Sequence, residues 1–263
     1  MIIYPNQGAG MCNRLLAAAH VMACCEATGN TAFIFSLRKY RHYFQGLPAC
    51  GIYYYRPQKR GMIAQKKGRV QILRSGAYPI DFPLSYTHPD IAKKLQAWVT
   101  IIMGWRFHDE CALADYRATI RQFFTPREAY QTKINTCLSA IRQQCDCLVG
   151  VHIRRNDYAT YREGSYYFND ACYRRWMAQI ERLFPSQKVG FLLSSDDALD
   201  RNAFSQFCVH VTSGHELEDL YELAGCDYLV GPPSTYSMWA SFYGNVPLCH
   251  VKTAQQDICF SGK

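Results

Sequence analysis

The chain has 263 residues, of which 49% are hydrophobic and only 19% charged, and its net charge is +8. That balance describes one large or two small globular domains and excludes a disordered, collagen-like or coiled-coil chain. No apolar run approaches the roughly 20 residues of a membrane-spanning helix. The opening Met1-Ile2-Ile3-Tyr4-Pro5 lacks both the basic and the apolar regions of a signal peptide.

Taken in chain order, Ile2-Ile3-Tyr4 is a short strand, Gln7-Gly8-Ala9-Gly10-Met11 a glycine-bearing loop, and Asn13 to Thr28 a helix on the spacing of Leu15, Leu16, Ala19, Met22 and Ala23. Thr31 to Ser36 is the next strand, so the chain starts with a βαβ unit. From Arg38 to Arg74 there are ten basic residues and no acidic one, interleaved with tyrosines such as Tyr40, Tyr43 and Tyr55. Such a stretch is either a solvated basic face over a tyrosine layer or a surface for a polyanion or an anionic membrane. Residues 37–90 carry no readable periodicity. Ile91 to Met103 and Arg127 to Gln144 read as helices.

The second half alternates regularly. Cys147 to Ile153, Val189 to Leu193, Val209 to Val211, Asp227 to Val230 and Val246 to Val251 read as strands. Tyr166 to Phe184, Glu216 to Ala224 and Ser237 to Tyr243 read as helices, with Ser195-Asp196-Asp197 capping a further short one. Continuous apolar strands alternating with helices mean parallel sheets covered on both faces. The expectation is an α/β protein of two Rossmann-like domains, residues 1–145 and 146–263. Thirteen cysteines, an odd number, without an Asn-x-Ser/Thr acceptor read as reduced, mostly buried thiols of a cytoplasmic protein.

Four segments could carry chemistry. Gly8-Ala9-Gly10-Met11-Cys12-Asn13-Arg14 joins a strand to a helix and suits a phosphate, or is only a tight turn. Asn13 stands where a dinucleotide fingerprint needs its third glycine, so NAD binding is disfavoured. His152-Ile153-Arg154-Arg155-Asn156-Asp157-Tyr158 ends a buried strand, where two arginines offer forked donors to a pyrophosphate. His152 by itself also reads as a core histidine. Ser194-Ser195-Asp196-Asp197 is a helix cap or a metal-binding aspartate pair that lacks partner ligands. Gly231-Pro232-Pro233-Ser234-Thr235 leads into a helix whose N-terminus suits an anion.

Together these segments resemble the GDP-fucose-dependent fucosyltransferase superfamily, closest to its bacterial-type α1,2 enzymes. The His152–Tyr158 stretch is similar to that superfamily's His-x-Arg-Arg-x-Asp motif, and Leu193–Asp197 to its second motif. Glu218-Asp219-Leu220-Tyr221, Asp227–Val230 and Ser234–Trp239 are similar to its third, and Gly10–Leu15 to its N-terminal Gly-Leu-Gly-Asn-Gln-Met loop. The resemblance departs at Cys12, which replaces a glycine, and at Pro232-Pro233.

The resemblance implies a GT-B-like architecture of two facing Rossmann-like domains, the first on the acceptor side and the second holding the GDP-sugar. It implies an inverting, metal-independent transfer of fucose from GDP-fucose to a glycan or lipid-linked glycan, in α1,2 linkage, during surface polysaccharide synthesis. Arg154 would bind the β-phosphate and assist its departure, His152 would contact the nucleotide mainly through backbone groups, and Arg155 would brace the site. Asp219 would meet the guanine or ribose, Ser234 and Thr235 the pyrophosphate, and Gly10 and Asn13 would close over it. Asp157 and Glu163 are the candidates for the acceptor-side base. Basic residues 38–74 would give peripheral membrane contact, with nucleic acid disfavoured as a partner. Another GDP-sugar as donor, or a non-catalytic polyanion-binding protein, are the alternatives.

Overall fold

The computed structural model describes residues 1–5, 10–47, 53–56, 68, 70–79, 82, 84–104 and 106–260. Gly8 and Ala9 of the glycine loop, and Lys59, Arg60, Lys66, Lys67 and Arg69 of the basic stretch, lie outside them. The chain forms two compact units, Met1–Arg127 and Glu128–Lys263.

The first unit runs β1 (Ile2–Tyr4), α1 (Met11–Thr28), β2 (Ala32–Ile34), β3 (Tyr53–Tyr55), β4 (Val70–Arg74), α2 (Pro89–Leu95), β5 (Val99–Met103), α3 (Glu110–Asp115) and α4 (Arg117–Phe123). Its sheet has the order β3-β2-β1-β5-β4. Every pairing is parallel except β2 with β3, which makes an antiparallel edge. Helix α1 is mostly apolar with no polar stripe, and it is buried along nearly its whole length, with His20 and Glu26 among its buried residues.

One expectation fails here. Residues 91–103 are not one helix: α2 stops at Leu95, and Val99 to Met103 is a strand between β1 and β4. Four consecutive residues rich in β-branching, Val99-Thr100-Ile101-Ile102, fit the pleated surface better than a helix. In the basic stretch, Tyr40, Tyr43, Phe44 and Tyr55 are core residues, while Arg38 and Lys39 are exposed above them. Lys39 lies over the Tyr40 ring at 5.1 Å. No helix among the described residues is long and apolar enough to cross a membrane.

The second unit runs α5 (Glu128–Arg142), β6 (Cys147–Ile153), α6 (Asp170–Leu183), β7 (Val189–Ser195), β8 (Cys208–Val211), α7 (Glu216–Ala224), β9 (Tyr228–Gly231), α8 (Thr235–Gly244) and β10 (Leu248–His250). All five strands are parallel, in the order β10-β9-β6-β7-β8. Helix α6 places Tyr173, Trp176, Met177 and Ile180 on one face, at helical spacing, and buries all four against the sheet. Burying side chains of this size stabilises the unit by about 1.5–3 kcal/mol each.

Helix α5 belongs to this unit, so the division falls at 127/128 rather than near 145. Lys133 Nζ donates to Glu218 Oε1 at 2.9 Å, and Arg142 forks onto Asp227 through two bonds of 3.1 and 2.9 Å. Asp227 in turn accepts the Leu148 N–H at 2.8 Å, which ties α5 to the start of both β6 and β9. No helix opens at Asp196 either. Ser195 ends β7, and the next helical turn is a 3-10 turn at Arg201–Phe204, capped by Asp200.

The described cysteines are free, and six of the twelve are buried. Cys111 in the first unit and Cys259 in the second are exposed.

Candidate active site

In a doubly wound sheet the strand order reverses at one point, and ligands bind beyond the carboxyl ends of the strands there. In the second unit that point lies between β6 and β9, which are adjacent although two α-helices and two strands separate them in the chain. The residues beyond those two ends are Arg154 and Arg155 after β6, and Pro232 to Thr235 after β9. The geometry therefore selects the two segments that carry the arginines and the Ser-Thr pair.

Gly231 makes the junction close. A Cβ there would stand 2.7 Å from the His152 carbonyl oxygen, so only glycine lets β9 pass β6 at this height. His152 is buried, its ring 5.1 Å from that of Tyr236, and its Nδ1 has no partner among the described residues. Burial, helped by the charge on Arg154 and by His250, holds its pKa down to about 3. His152 is therefore a neutral wall of the site, and the core reading and the motif reading of this residue are compatible.

Arg154 is the more open member of the arginine pair. Its Nε donates to Asp157 Oδ1 at 2.8 Å and faces Asp196 Oδ2 at 3.2 Å, while its guanidinium carbon lies 5.6 Å from the centre of the Tyr158 ring. Burial works against the charge, but Asp157 and Asp196 more than offset it and raise its pKa. Both carboxylates engage the Nε edge, so the two Nη groups make no hydrogen bond among the described residues. A fixed cation with a free two-pronged face suits a phosphate oxygen pair.

Arg155 points the other way. Its side chain is largely buried and pairs with Asp170 at the first turn of α6, and its backbone N–H donates to Asp196 Oδ1 at 2.7 Å. Asp196 thus holds both arginines, and Asp197 bonds the Ala198 N–H at 2.8 Å. Of the aspartate pair, Asp196 is therefore a brace for both arginines, while Asp197 shapes the turn after β7.

Ser234 caps α8, its Oγ accepting the Tyr236 N–H at 3.2 Å, and Thr235 is the first residue of the helix. A helix start leaves N–H groups without intrahelical acceptors and carries a partial positive charge, so this terminus favours an anion. Buried Tyr158 joins the two segments, donating from its hydroxyl to the Pro233 carbonyl.

The structure places other expected residues differently. Asp219 is buried on α7 and commits both oxygens to the 212–214 loop: Thr212 Oγ1 donates at 2.7 Å, Ser213 Oγ at 3.2 Å and the Gly214 N–H at 3.1 Å. It shapes a loop at the end of β8. Asp157 is paired with Arg154, whereas Glu163 is exposed on the turn that follows. Gly10 and Asn13 lie in the first unit, Gly10 as the residue before α1 and Asn13 in its first turn. Gly10 has φ −65° and Cys12 is already helical, so the missing glycine at 12 costs the turn nothing.

One constellation escaped the sequence reading. His20 on α1 and His108 stack at 4.7 Å, and with Glu110 they bring potential metal-ligating atoms within 4.8 Å of one another in the first unit. A separation of about 90 residues leaves no local signal for it.

Comparisons with known proteins give a family and a fold. The profile of glycosyl transferase family 11 matches residues 98–253, more than half of the chain. No curated protein matches in sequence. Among solved structures, a mutant of Arabidopsis thaliana FUT1 in complex with GDP is similar at a TM-score of 0.58 and 13% identity, covering 94% of this chain and 69% of that one. The α1,6-fucosyltransferase NodZ co-crystallised with GDP is similar at 0.56 and 18%, covering 95% and 94%, and NodZ is also known in structures of the Bradyrhizobium protein. POFUT1 in complex with GDP-fucose is similar at 0.53 and 10%, covering 97% and 95%. At these identities the likeness establishes the α/β fold.

Proposed function

The chain belongs to glycosyl transferase family 11, and from that membership and its site we propose that it transfers fucose from GDP-fucose to a hydroxyl of a glycan acceptor. The observation that carries this reading is the free Nη face of Arg154 beside the N-terminus of α8, at the switch point of a parallel sheet. The GDP and GDP-fucose held by the structurally similar FUT1, NodZ and POFUT1 support the choice of nucleotide.

In this reading the acceptor oxygen attacks the anomeric carbon as the bond to the β-phosphate oxygen breaks, inverting the centre. Negative charge grows on the β-phosphate. Arg154, with Thr235 and the α8 N–H groups, stabilises that charge and takes the place of a metal ion. Asp196, Asp157 and Arg155 keep the guanidinium in place. Glu163 is the better candidate to receive the acceptor proton, because Asp157 is already bonded to Arg154. The linkage is α1,2, the product a surface glycan, and the enzyme works in the cytoplasm with the basic residues 38–74 toward the membrane.

Calorimetry with GDP, GDP-fucose and GDP-mannose tests the proposal. Binding of GDP and GDP-fucose in preference to GDP-mannose is the expected result. Equal or stronger binding of GDP-mannose would move the donor to another GDP-sugar, and absence of all binding would remove the nucleotide altogether.

A further inference from the structure

In the second unit three large apolar side chains are exposed among the described residues, and two of them, Tyr161 and Tyr167, lie in the turn that follows the arginine pair. Tyr161 stacks on buried Tyr158, ring centres 5.3 Å apart, and Tyr166 completes a three-ring cluster at 6.3 and 6.5 Å from them. With 46% of its surface open, Tyr161 is a hydrophobic ring that packing alone does not explain.

The backbone beside it is strained. Arg162 (φ 49°, ψ 45°) and Glu163 (φ 59°, ψ 31°) both adopt the left-handed conformation, followed by Gly164 at φ 75°. Two consecutive non-glycine residues there are costly, and such strain concentrates where a site needs a particular shape. Neither side chain is buried in return. In this conformation the Arg162 guanidinium lies over Tyr161 at 5.6 Å and Tyr166 at 5.9 Å.

The cluster is also coupled to the arginine. Tyr158 has the Arg154 guanidinium over its ring at 5.6 Å and Tyr161 stacked on it. A group resting on Tyr161 is therefore one aromatic ring away from the residue assigned to the departing phosphate. A pyranose has one face of axial C–H bonds and a rim of hydroxyls. The first matches a phenol ring and the second a planar fork of N–H donors.

We propose that Tyr161 and Arg162 form the acceptor-sugar subsite, the ring receiving the apolar face of a pyranose while Arg162 moves off that face and donates to the hydroxyls. The assignment rests on the fucosyltransferase reading above. It also accounts for Glu163, which the same strained turn presents beside the sugar.

Saturation-transfer NMR tests it, with the methyl glycosides of galactose, glucose and mannose as probes and saturating GDP present. GDP affinity is measured separately by calorimetry. The wild type is expected to bind at least one glycoside, and Tyr161→Ala to weaken that binding by about tenfold or more. Tyr161→Phe should retain it, since the stack needs no hydroxyl, and Arg162→Ala should lose part of it. GDP affinity should be the same in all four proteins. A Tyr161→Ala protein that binds glycoside like the wild type overturns the proposal, as does a wild type that binds GDP but none of the glycosides. Failure of the wild type to bind GDP would instead overturn the nucleotide reading and the subsite with it.

Discussion

Arg154 and Asp196 are the first residues beyond two paired parallel strands, and Nε of the one stands 3.2 Å from Oδ2 of the other. Adjacent parallel strands deliver their carboxyl ends side by side, so a cation and an anion 42 positions apart become neighbours without any loop having to find the other. The other oxygen of Asp196 takes the Arg155 N–H. One carboxylate therefore sets the direction of both arginines, turning one outward and the other toward the core.

Arg154→Ala should lower kcat by about 100- to 1000-fold, the usual cost of removing one preorganised donor to a developing charge. Its circular dichroism should stay that of the wild type, because the side chain is partly exposed and outside the core. Arg154→Lys should rescue poorly, since a point charge lacks the two-pronged face. Near-normal turnover by a folded Arg154→Ala protein would sink the assigned mechanism.

Arg155→Ala should act mainly on stability. It leaves Asp170 without its partner at the start of α6 and removes a largely buried guanidinium. Urea titration should register a loss of about 1–3 kcal/mol, the usual worth of a charge-assisted hydrogen bond. If unfolding midpoints match and only turnover falls, Arg155 touches the substrate rather than bracing it.

Acid should unfold the protein early. Burial lowers the pKa of His20 and of His108 to about 4, and of His152 to about 3, all from the ordinary value near 6.5. As pH falls through 6.5 the unfolded chain takes up these protons before the folded one does, so each site removes about 1.4 kcal/mol of stability per pH unit in the window down to about pH 4. Glu222 runs the other way. Burial raises its pKa to about 7, helped by Asp219 and Glu218 although the Cys137 hydrogen bond opposes, so its protonated form favours the fold and it destabilises as pH rises from about 4.5 to 7. Glu222→Gln should therefore make the fall in urea midpoint between pH 7 and pH 4.5 steeper. An unchanged slope would mean that this carboxyl titrates normally.

Transfer should continue in EDTA, because arginine and a helix N-terminus supply the positive charge that the departing phosphate needs. Activity lost in chelator and restored by Mn²⁺ or Mg²⁺ would contradict this. It would turn attention to His20, His108 and Glu110, the one three-residue group with ligand spacing among the described residues.

Much of the second unit was legible because its strands are short, unbroken apolar runs and its helices carry one buried face. Helix α7 matches the expected Glu216 to Ala224 end to end. The first unit was harder. Ile91, Leu95, Trp98 and Ile102 fall at helical spacing across a break that turns α2 into β5, and only the pairing of β5 with β1 and β4 decides the issue. At the site, the Arg-Arg motif and the Ser-Thr pair were readable as residues following strand ends. The resemblance already set Arg154 at the phosphate and Arg155 as a brace, but the partners that enforce this, Asp170 and Asp196, were not readable, being distant in sequence. Asp219 shows the same limit, because its place in the motif does not reveal that three loop donors already engage the carboxylate.

The chain carries its own spectroscopic ruler. Cys111 and Cys259, the two exposed thiols among the described residues, sit one on each compact unit. With Cys50 and the half-buried Cys137, Cys145, Cys172 and Cys208 replaced by serine, a spin label on each of the two would report a single inter-unit distance. Recorded with and without GDP, that distance would show whether nucleotide moves one unit relative to the other, with no foreign residue introduced at either labelled position.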